Sequence, residues 1–262
     1  MIARRVHPLA QFRGNCAKGY NATMISSFFH AVVYDPLYNA LVFLVGVIPT
    51  HDMGLAVILL TFIIRVILYP LSRRVVESQM AMKKIAPEIE ELKKKHKSNS
   101  PEQSQAIFAL YRERGIHPFS GLAIMLIQLP ILFGLYFVFI GSGFPKVDSS
   151  ILYSFVHAPS LVNMEFLGFV DMGQGHNIIL ALLAAVTQLI YARLSMGPRG
   201  SQTAGEASLS SDLAKSFDLQ ARYMFPALIG VAAYYLPAAA PLYYLTSNVL
   251  MIAQEYMSGR RF

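Results

Sequence analysis

The chain has 262 residues, of which 55% are hydrophobic and 14% are charged, and its mean hydropathy is +0.45. Soluble domains carry about 25% charged residues, so this composition indicates a membrane protein. The single cysteine, Cys16, excludes an internal disulfide framework. The formal net charge is +7, but residues 1–23 supply four basic side chains and no acidic one. We therefore interpret the basic residues as topology signals and expect no direct nucleic-acid partner.

Residues 1–23 have no continuous apolar core and no small-residue cleavage site, so they predict a basic, disordered tail and no signal peptide. An apolar run over 25–49 follows, but Asp35-Pro36 interrupts it. The apolar run that remains after this interruption is shorter than the roughly 20 residues of a spanning helix. We therefore predict an interfacial amphipathic helix within 24–52. A full crossing by 25–49 stays the alternative.

Five later stretches are long and apolar enough to span a bilayer, at about 53–72, 119–141, 176–195, 219–236 and 240–258. The segment 73–117 carries ten Lys or Arg against six Asp or Glu, whereas 142–175 carries one lysine. Cytoplasmic segments are enriched in Lys and Arg, so 73–117 and the short tail 259–262 are predicted to be cytoplasmic. The fold class is all-α: a polytopic bundle of five transmembrane helices over 53–258.

The segment 73–117 is predicted to form a helical hairpin. Within 90–95, two glutamates precede two lysines by four residues, which is the favourable order for helical ion pairs. The sequence Ser-Pro-Glu-Gln at 100–103 is typical of a capping box at a helix start. Gly115 is placed to end that second helix. Residues 197–218 are rich in Gly and Ser and are predicted to be a flexible linker.

Arg65 is the one charged residue of the predicted span 53–72. An arginine near the centre of a span costs about 2.5–3.5 kcal/mol on insertion scales, so its position needs a cause. Its side chain could snorkel to the cytoplasmic interface. Alternatively, it could face a water-filled cavity open to the cytoplasm. The other spans carry no acidic residue at matching depth, because Glu255 lies near a cytoplasmic end, so we predict hydration rather than a buried salt bridge.

Polar side chains recur in several spans, and with Arg65 they predict a hydrophilic groove. The candidate groove residues are Arg65, Thr61, Gln128, Tyr244, Ser247 and Asn248. Such residues also commonly form interhelical hydrogen bonds, which stays an alternative for Thr187, Gln188 and Ser247. The chain contains no G-x-S-x-G, H-E-x-x-H or P-loop motif, and its seven histidines are scattered. We expect no enzymatic activity, no cofactor and no metal.

At these residues the sequence resembles the YidC/Oxa/Alb family of membrane protein insertases. The matching motifs occur in the family's order over about 24–257; they are PLYNAL at 36–41, LLTFIIRVILYPLS at 59–72, APEIEELKKK at 86–95, ALYRERGIHPFSG at 109–121, LIQLPILFGLYFV at 126–138 and LYYLTSNVLMIAQE at 242–255. A single motif of this kind would be weak, but six in register are a strong signal.

The resemblance implies a five-helix bundle in the bacterial inner membrane, with a groove open to the cytoplasm and to lipid but closed to the outside. It implies that Arg65 receives hydrophilic parts of a nascent membrane protein. Spans 53–72 and 119–141 would guide the apolar segment of that substrate. It further implies a mobile, substrate-recruiting hairpin, an outer-surface helix over 27–49, and the Sec translocon and ribosome as further partners. The chain ends at Gly-Arg-Arg-Phe, so we expect no ribosome docking through a long basic tail.

Two other functions stay open at this point. A small polytopic transporter or channel could use Arg65 to bind an anionic solute, but transporters often show inverted repeats, and the hairpin occurs once without a counterpart. An assembly factor acting alongside the Sec translocon would differ little in sequence. Reconstitution into liposomes distinguishes an insertase from a transporter.

Overall fold

The computed structural model describes residues 26–96, 99–116, 120–141, 144–196 and 219–259. The predicted tail 1–23 and linker 197–218 lie outside these residues, as do residues 260–262. The described chain is mainly helical and contains one short antiparallel β-hairpin.

Eight helices and two strands follow one another along the described residues. The helices are α1 Ser26–Val47, α2 Met53–Lys84, α3 Ala86–Lys95, α4 Ser100–Glu113, α5 Ser120–Gly141, α6 Ile178–Met196, α7 Phe225–Tyr235 and α8 Ala239–Met257. The strands are β1 Glu165–Phe166 and β2 Val170–Asp171. Within the described part of the chain, α1, α2 and α6 are long and apolar enough to cross a membrane. Each of the five predicted spans contains a helix, while five crossings remain a prediction.

The predicted break at Asp35-Pro36 is wrong, because α1 continues through it. A proline inside a helix lacks an N–H group and its ring clashes with the carbonyl four residues earlier. Here the preceding turn, His30–Tyr34, is π-helical, and the Asp35 N–H donates to the His30 carbonyl five residues back. The same arrangement recurs at Gln220–Met224, directly before the Phe225-Pro226 pair. A widened turn therefore accommodates each proline without ending the helix.

Helix α2 extends beyond the predicted boundary at residue 72 and ends at Lys84. Val75 and Val76 are buried, so the inward face of the helix continues past the apolar stretch. Arg73 and Glu77 form an ion pair one turn apart on the surface, with Nε and Oε1 2.8 Å apart. The hairpin therefore consists of α3 and α4 alone, rather than of all of 73–117.

The two hairpin helices are fastened to each other by polar contacts. The Gln103 side chain donates to the Lys93 carbonyl at 2.9 Å, and Arg114 forms a bidentate ion pair with Glu88. Asn99, rather than Ser100, caps α4, because its side chain accepts a hydrogen bond from the Glu102 N–H at 3.4 Å. The predicted position of the N-cap is therefore wrong by one residue. At the other end of α4, Gly115 follows the last helical turn as predicted, and its φ is +62°.

The chain divides into two compact units. The first unit comprises residues within Met1–Leu60, Pro130–Leu182 and Val231–Tyr244; the second comprises Thr61–Leu129, Leu183–Gly230 and Leu245–Phe262. Helices α2, α5, α6, α7 and α8 each contribute residues to both units. The first unit has an apolar core that includes the fully buried side chains of Tyr38, Leu41, Met53, Val138 and Met172.

In the first unit, two buried side chains of α1 hold the segment that follows α5. The Asn39 amide donates to the Ile151 carbonyl at 3.0 Å, and its oxygen accepts from the Tyr153 N–H at 2.6 Å. The Tyr38 hydroxyl accepts from the Asp148 N–H at 2.7 Å. These bonds satisfy backbone groups of an irregular segment, which a strand or helix would otherwise satisfy internally.

Helix α1 packs against the second half of α5 in the first unit. A side chain at Gly134 would place its Cβ 2.6 Å from Leu37 and 2.8 Å from Val33. Phe29 also makes an edge-to-face contact with Phe137. Gly134 therefore allows a close approach of the two helices at this point.

We expect Gly134→Val to destabilise the protein by about 1–3 kcal/mol, because a branched side chain would overlap Val33 and Leu37. Gly46→Val in α1 is the matched control, since a Cβ there meets nothing within 4 Å. Thermal unfolding in detergent, followed by circular dichroism, measures the difference. Equal melting temperatures for the two variants would show that α1 does not approach α5 closely at this glycine.

Candidate functional site

Arg65 lies on the face of α2 that points into the protein. Thr61, one turn earlier, is 1% exposed, and Ser72, two turns later, is also buried. The opposite face carries large exposed apolar side chains, at Phe62, Ile63, Val66 and Ile67. Since these residues repeat with helical periodicity, α2 presents a partly polar face to the protein and an apolar face outward.

The Arg65 guanidinium contacts two of the other predicted groove residues. Its Nε donates to the Ser247 hydroxyl at 2.8 Å, and its Nη2 donates to the Gln128 side-chain oxygen at 3.0 Å. Nη2 also makes a short contact with the Ser247 hydroxyl. Ser247 and Gln128 are neutral acceptors, so these bonds orient the guanidinium without adding a counter-charge. The sequence predicted water as the companion of Arg65, whereas the structure provides direct partners on α5 and α8.

A small, partly open cleft borders this cluster. Its lining residues belong to α2 and α5; they are Arg65, Leu68, Leu71, Ser72, Ile127 and Gln128. Charged, polar and aliphatic side chains therefore meet in one cavity.

A second polar pair continues the cluster along α2 and α8. The Ser72 hydroxyl donates to the Gln254 side-chain oxygen at 2.9 Å. Ser72 follows Arg65 by seven residues, and Gln254 follows Ser247 by seven residues. The second contact lies closer to the C-terminus than the first on both helices, so α2 and α8 run parallel in the second unit. The chain therefore leaves α8 on the side where α2 leads into the hairpin.

Helix α6 joins the same set of interhelical bonds. The Asn248 amide donates to the Thr187 hydroxyl at 3.4 Å, and the Ser195 hydroxyl donates to the Gln79 side-chain oxygen at 3.2 Å. For Thr187 and Ser247, the interhelical hydrogen bonds left open by the sequence are present. Gln79, Ser195 and Gln254 were missed, although the seven-residue spacing from Ser247 to Gln254 repeats that from Arg65 to Ser72.

Tyr244 belongs to the first unit, where its ring contacts Tyr243 edge-to-face at 5.8 Å between centroids. It precedes Ser247 by about one turn of α8. The hydrogen bonds of the Arg65 guanidinium bring Arg65, Gln128 and Ser247 together.

Buried polar side chains are concentrated in the second unit. Among the described residues, the first unit buries Asn39 and Asp52, whereas the second unit buries Thr61, Ser72, Arg222, Ser247, Asn248 and Glu255. Polar groups inside a membrane protein are costly unless they serve a cavity or each other. Over the part of the chain with described side chains, no cluster of three or more His, Cys, Asp or Glu could hold a metal ion.

The chain matches a family model and relatives over most of its length. The model described as 60Kd inner membrane protein matches residues 44–262. The membrane protein insertase YidC of Magnetococcus marinus is 31% identical over 224 residues, covering 85% of this chain and 34% of that protein. The YidC of Methylobacillus flagellatus is 28% identical over 231 residues, covering 87% and 36% respectively.

A third relative has a length closer to that of this chain. The membrane protein insertase YidC of Fusobacterium nucleatum is 29% identical over 226 residues, which is 86% of this chain and 95% of that protein. The chain thus spans about a third of the length of the first two relatives and nearly all of the third. The family match and the apolar helices together place this chain in a bacterial inner membrane as a multi-pass protein. The chain belongs to the 60Kd inner membrane protein family, which is the YidC/Oxa/Alb family that its motifs resemble.

Proposed function

We propose that this protein is an insertase that integrates nascent membrane proteins through a hydrophilic groove in its second unit. The observation that carries the proposal is the Arg65 guanidinium, held by Ser247 and Gln128 beside a cleft of mixed polarity. Thr61 and Asn248 extend the polar lining, and Tyr244 stays a predicted substrate-facing residue. The relatives named as membrane protein insertases support the same function.

In this mechanism the groove lowers the cost of moving a polar segment across the bilayer. Hydroxyl, amide and guanidinium groups replace part of the water that the segment loses, and they shorten the hydrocarbon distance it must cross. The positive charge of Arg65 attracts acidic stretches of the substrate. The apolar segment meanwhile moves past the aliphatic side chains of α2 and α5 into lipid. Burial of that segment drives the reaction, so no nucleotide is required.

We further propose five membrane crossings, with the hairpin and the C-terminus in the cytoplasm. The parallel direction of α2 and α8 supports this arrangement, because it leaves both helix ends on one side. The excess of Lys and Arg in 73–117 supports the cytoplasm as that side. We also propose that α1 lies at the outer interface, as the family resemblance implies for residues 27–49.

The partners follow from this arrangement. We propose that the α3–α4 hairpin recruits nascent membrane proteins at the cytoplasmic face. Its exposed lysines and arginines suit both acidic protein segments and lipid headgroups. The protein would act alone or with the Sec translocon, and ribosomes would deliver its substrates.

Reconstitution tests the proposed function against a transporter for an anionic solute. We expect liposomes that contain this protein alone to integrate a newly synthesised, short, single-span membrane protein without nucleotide. Protease protection of the translocated terminus measures integration. Empty liposomes provide the control. Uptake of a small anion without any integration would overturn the insertase proposal and favour the transporter.

Cysteine labelling tests whether water reaches the cleft. In a Cys16→Ser background, we expect a membrane-impermeant maleimide added from the cytoplasmic side to label Leu68→Cys and Ser72→Cys, which line the cleft. Val66→Cys and Ile67→Cys should remain unlabelled in the bilayer, although Ile67 is 68% exposed in the protein itself. Lipid would cover these two positions, and a thiol reacts only as a hydrated thiolate. Equal labelling of all four cysteines would contradict a one-sided aqueous groove.

A further inference from the structure

The tip of the β-hairpin in the first unit exposes two large apolar side chains. β1 and β2 pair through Glu165 with Asp171 and Phe166 with Val170. The intervening turn is closed by a hydrogen bond from the Phe169 N–H to the Phe166 carbonyl at 3.2 Å. Leu167 is 60% exposed and Phe169 is 75% exposed. An apolar turn between charged strand residues needs an explanation, because tight turns in water favour polar residues.

Leu167 occupies a backbone conformation that does not suit leucine. Its φ is +54° and that of Gly168 is +81°, so both residues lie in the left-handed region. Two-residue turns of this kind favour Asn-Gly or Asp-Gly, because residues with large side chains are strained there. Local turn chemistry would therefore select asparagine at position 167. The apolar side chain is present despite the strain, which suggests that the side chain itself has a role.

The tip and the strands of this hairpin are fixed to the starts of two long helices. The Leu167 N–H donates to the buried Asp52 carboxylate at 3.2 Å, directly before α2. Phe166 covers Gly54 so closely that an added Cβ would lie 2.3 Å from its ring. At the other end, the Ala239 N–H donates to the Met172 carbonyl at 3.2 Å, where α8 begins. The tip is therefore held at the level of these helix ends.

The helix ends that hold the hairpin lie at the edge of the apolar layer of the membrane. α2 begins at Met53 and is apolar from its first turn, so its start marks the membrane boundary. Three residues of extended chain reach at most about 10 Å, so the tip cannot lie far from this boundary. Ile178 and Ile179, which begin α6 in the same unit, are exposed as well. Exposed aromatic and aliphatic side chains at this depth are typical of the membrane interface.

We propose that the hairpin tip, Leu167–Phe169, inserts into the interfacial layer of the outer leaflet and anchors this end of the protein to lipid. The charged strand residues Glu165 and Asp171 stay toward water, while Leu167 and Phe169 enter the region of the acyl-chain carbonyls. The assignment to the outer leaflet rests on the proposed topology; contact with lipid does not.

The chain contains no tryptophan, so one substitution provides a specific reporter. Phe169→Trp is reconstituted into dioleoylphosphatidylcholine liposomes that contain phospholipid brominated either near the headgroup or near the end of the acyl chain. We expect the tryptophan emission to be blue-shifted. Bromines near the headgroup should quench about half of the emission intensity, and bromines near the end of the acyl chain should quench less, as for an interfacial residue. This readout does not depend on insertase activity, so it separates failure of this proposal from failure of the proposed function.

Two further single-tryptophan variants calibrate the measurement. Ser149→Trp, in a polar turn of the same segment, should show water-like emission, and Ile179→Trp, on α6, should be quenched by lipid. Water-like, unquenched emission from position 169 would overturn the proposal. Blue-shifted emission that no brominated lipid quenches would also overturn it, because a protein surface would then cover the tip.

A second variant separates anchoring from a purely structural role. Leu167→Asn, in the Phe169→Trp background, fits the left-handed turn better than leucine. We expect it to raise the apparent melting temperature in detergent and to reduce quenching by the shallow bromines. An unchanged quenching pattern in this variant would show that Leu167 does not take part in the anchor.

Discussion

Replacing Arg65 with alanine is expected to lower the integration of substrates with acidic translocated segments by about tenfold or more. A hydrogen bond from a charged donor contributes about 1.5–3 kcal/mol, and about 1.4 kcal/mol corresponds to tenfold in an equilibrium. Arg65→Lys should preserve most activity, because it keeps the charge at nearly the same depth. It cannot bond Ser247 and Gln128 with the planar geometry of a guanidinium, so we expect a smaller residual loss. Protease protection in liposomes, or complementation of insertase depletion, measures both variants.

The matched control is Arg73→Ala, which removes the same residue type from the same helix. Arg73 is exposed and pairs only with the nearby Glu77 among the ion pairs of the described residues. A surface pair of this kind contributes about 0–1 kcal/mol, so this variant should remain active. Full activity of Arg65→Ala would eliminate a specific role for the charge. Equal losses in both arginine variants would point to general damage to α2.

Substrate charge provides an independent check on Arg65. A substrate with a neutral translocated segment should lose much less integration than an acidic one in the Arg65→Ala variant, because electrostatic attraction is then absent. If both substrates lose activity equally, Arg65 acts by supporting the helix contacts around Ser247 and Gln128 instead. Ser247→Ala tests that possibility directly, since it removes an acceptor of Arg65 while keeping the charge.

The long helices were predictable from sequence, because twenty consecutive apolar residues leave few other structures in a membrane. The positions of α5, α6 and α8 agree with the predicted spans to within a few residues. The continuation of α1 through Pro36 was not predictable by the same rule. The turn before Pro36 widens and the helix continues, and composition does not show this.

The polar surroundings of Arg65 were predictable, because an arginine in an apolar helix requires polar groups nearby. Its partners were only partly predictable. Hydropathy predicts how deep each residue of a helix lies in the membrane. The rotation of each helix about its own axis decides which polar side chains contact one another. Gln128 and Ser247 form hydrogen bonds with Arg65, and the sequence alone did not single out these two from the other polar residues. Ser72 and Gln254 repeat the register of the first pair two turns later, a pattern visible only once that pair is known.

A large loss of stability is expected when Asp52 is replaced, because this buried acid has a structural role. Asp52 is 5% exposed, and its two carboxylate oxygens accept from the Leu55 N–H at 3.0 Å and the Leu167 N–H at 3.2 Å. The first bond caps α2, and the second holds the β-hairpin. Asp52→Ala removes both acceptors. A lost cap costs about 0.5–2 kcal/mol and a buried, unsatisfied N–H about 1–3 kcal/mol, so we expect a total loss of about 3 kcal/mol.

Asp52→Asn separates the two bonds of Asp52. The amide has one acceptor oxygen, so it can cap α2 or hold the Leu167 N–H, but its NH₂ group cannot accept from the other. We therefore expect an intermediate loss for Asp52→Asn and a fall of about 6–12 °C in the apparent Tm for Asp52→Ala, measured by circular dichroism in detergent. Hydrogen exchange at Leu167 should rise in Asp52→Ala, which lacks both bonds. It should also rise in Asp52→Asn if asparagine retains the cap, because the hairpin then loosens while α2 stays capped. A wild-type Tm for Asp52→Ala would show that neither bond contributes to stability.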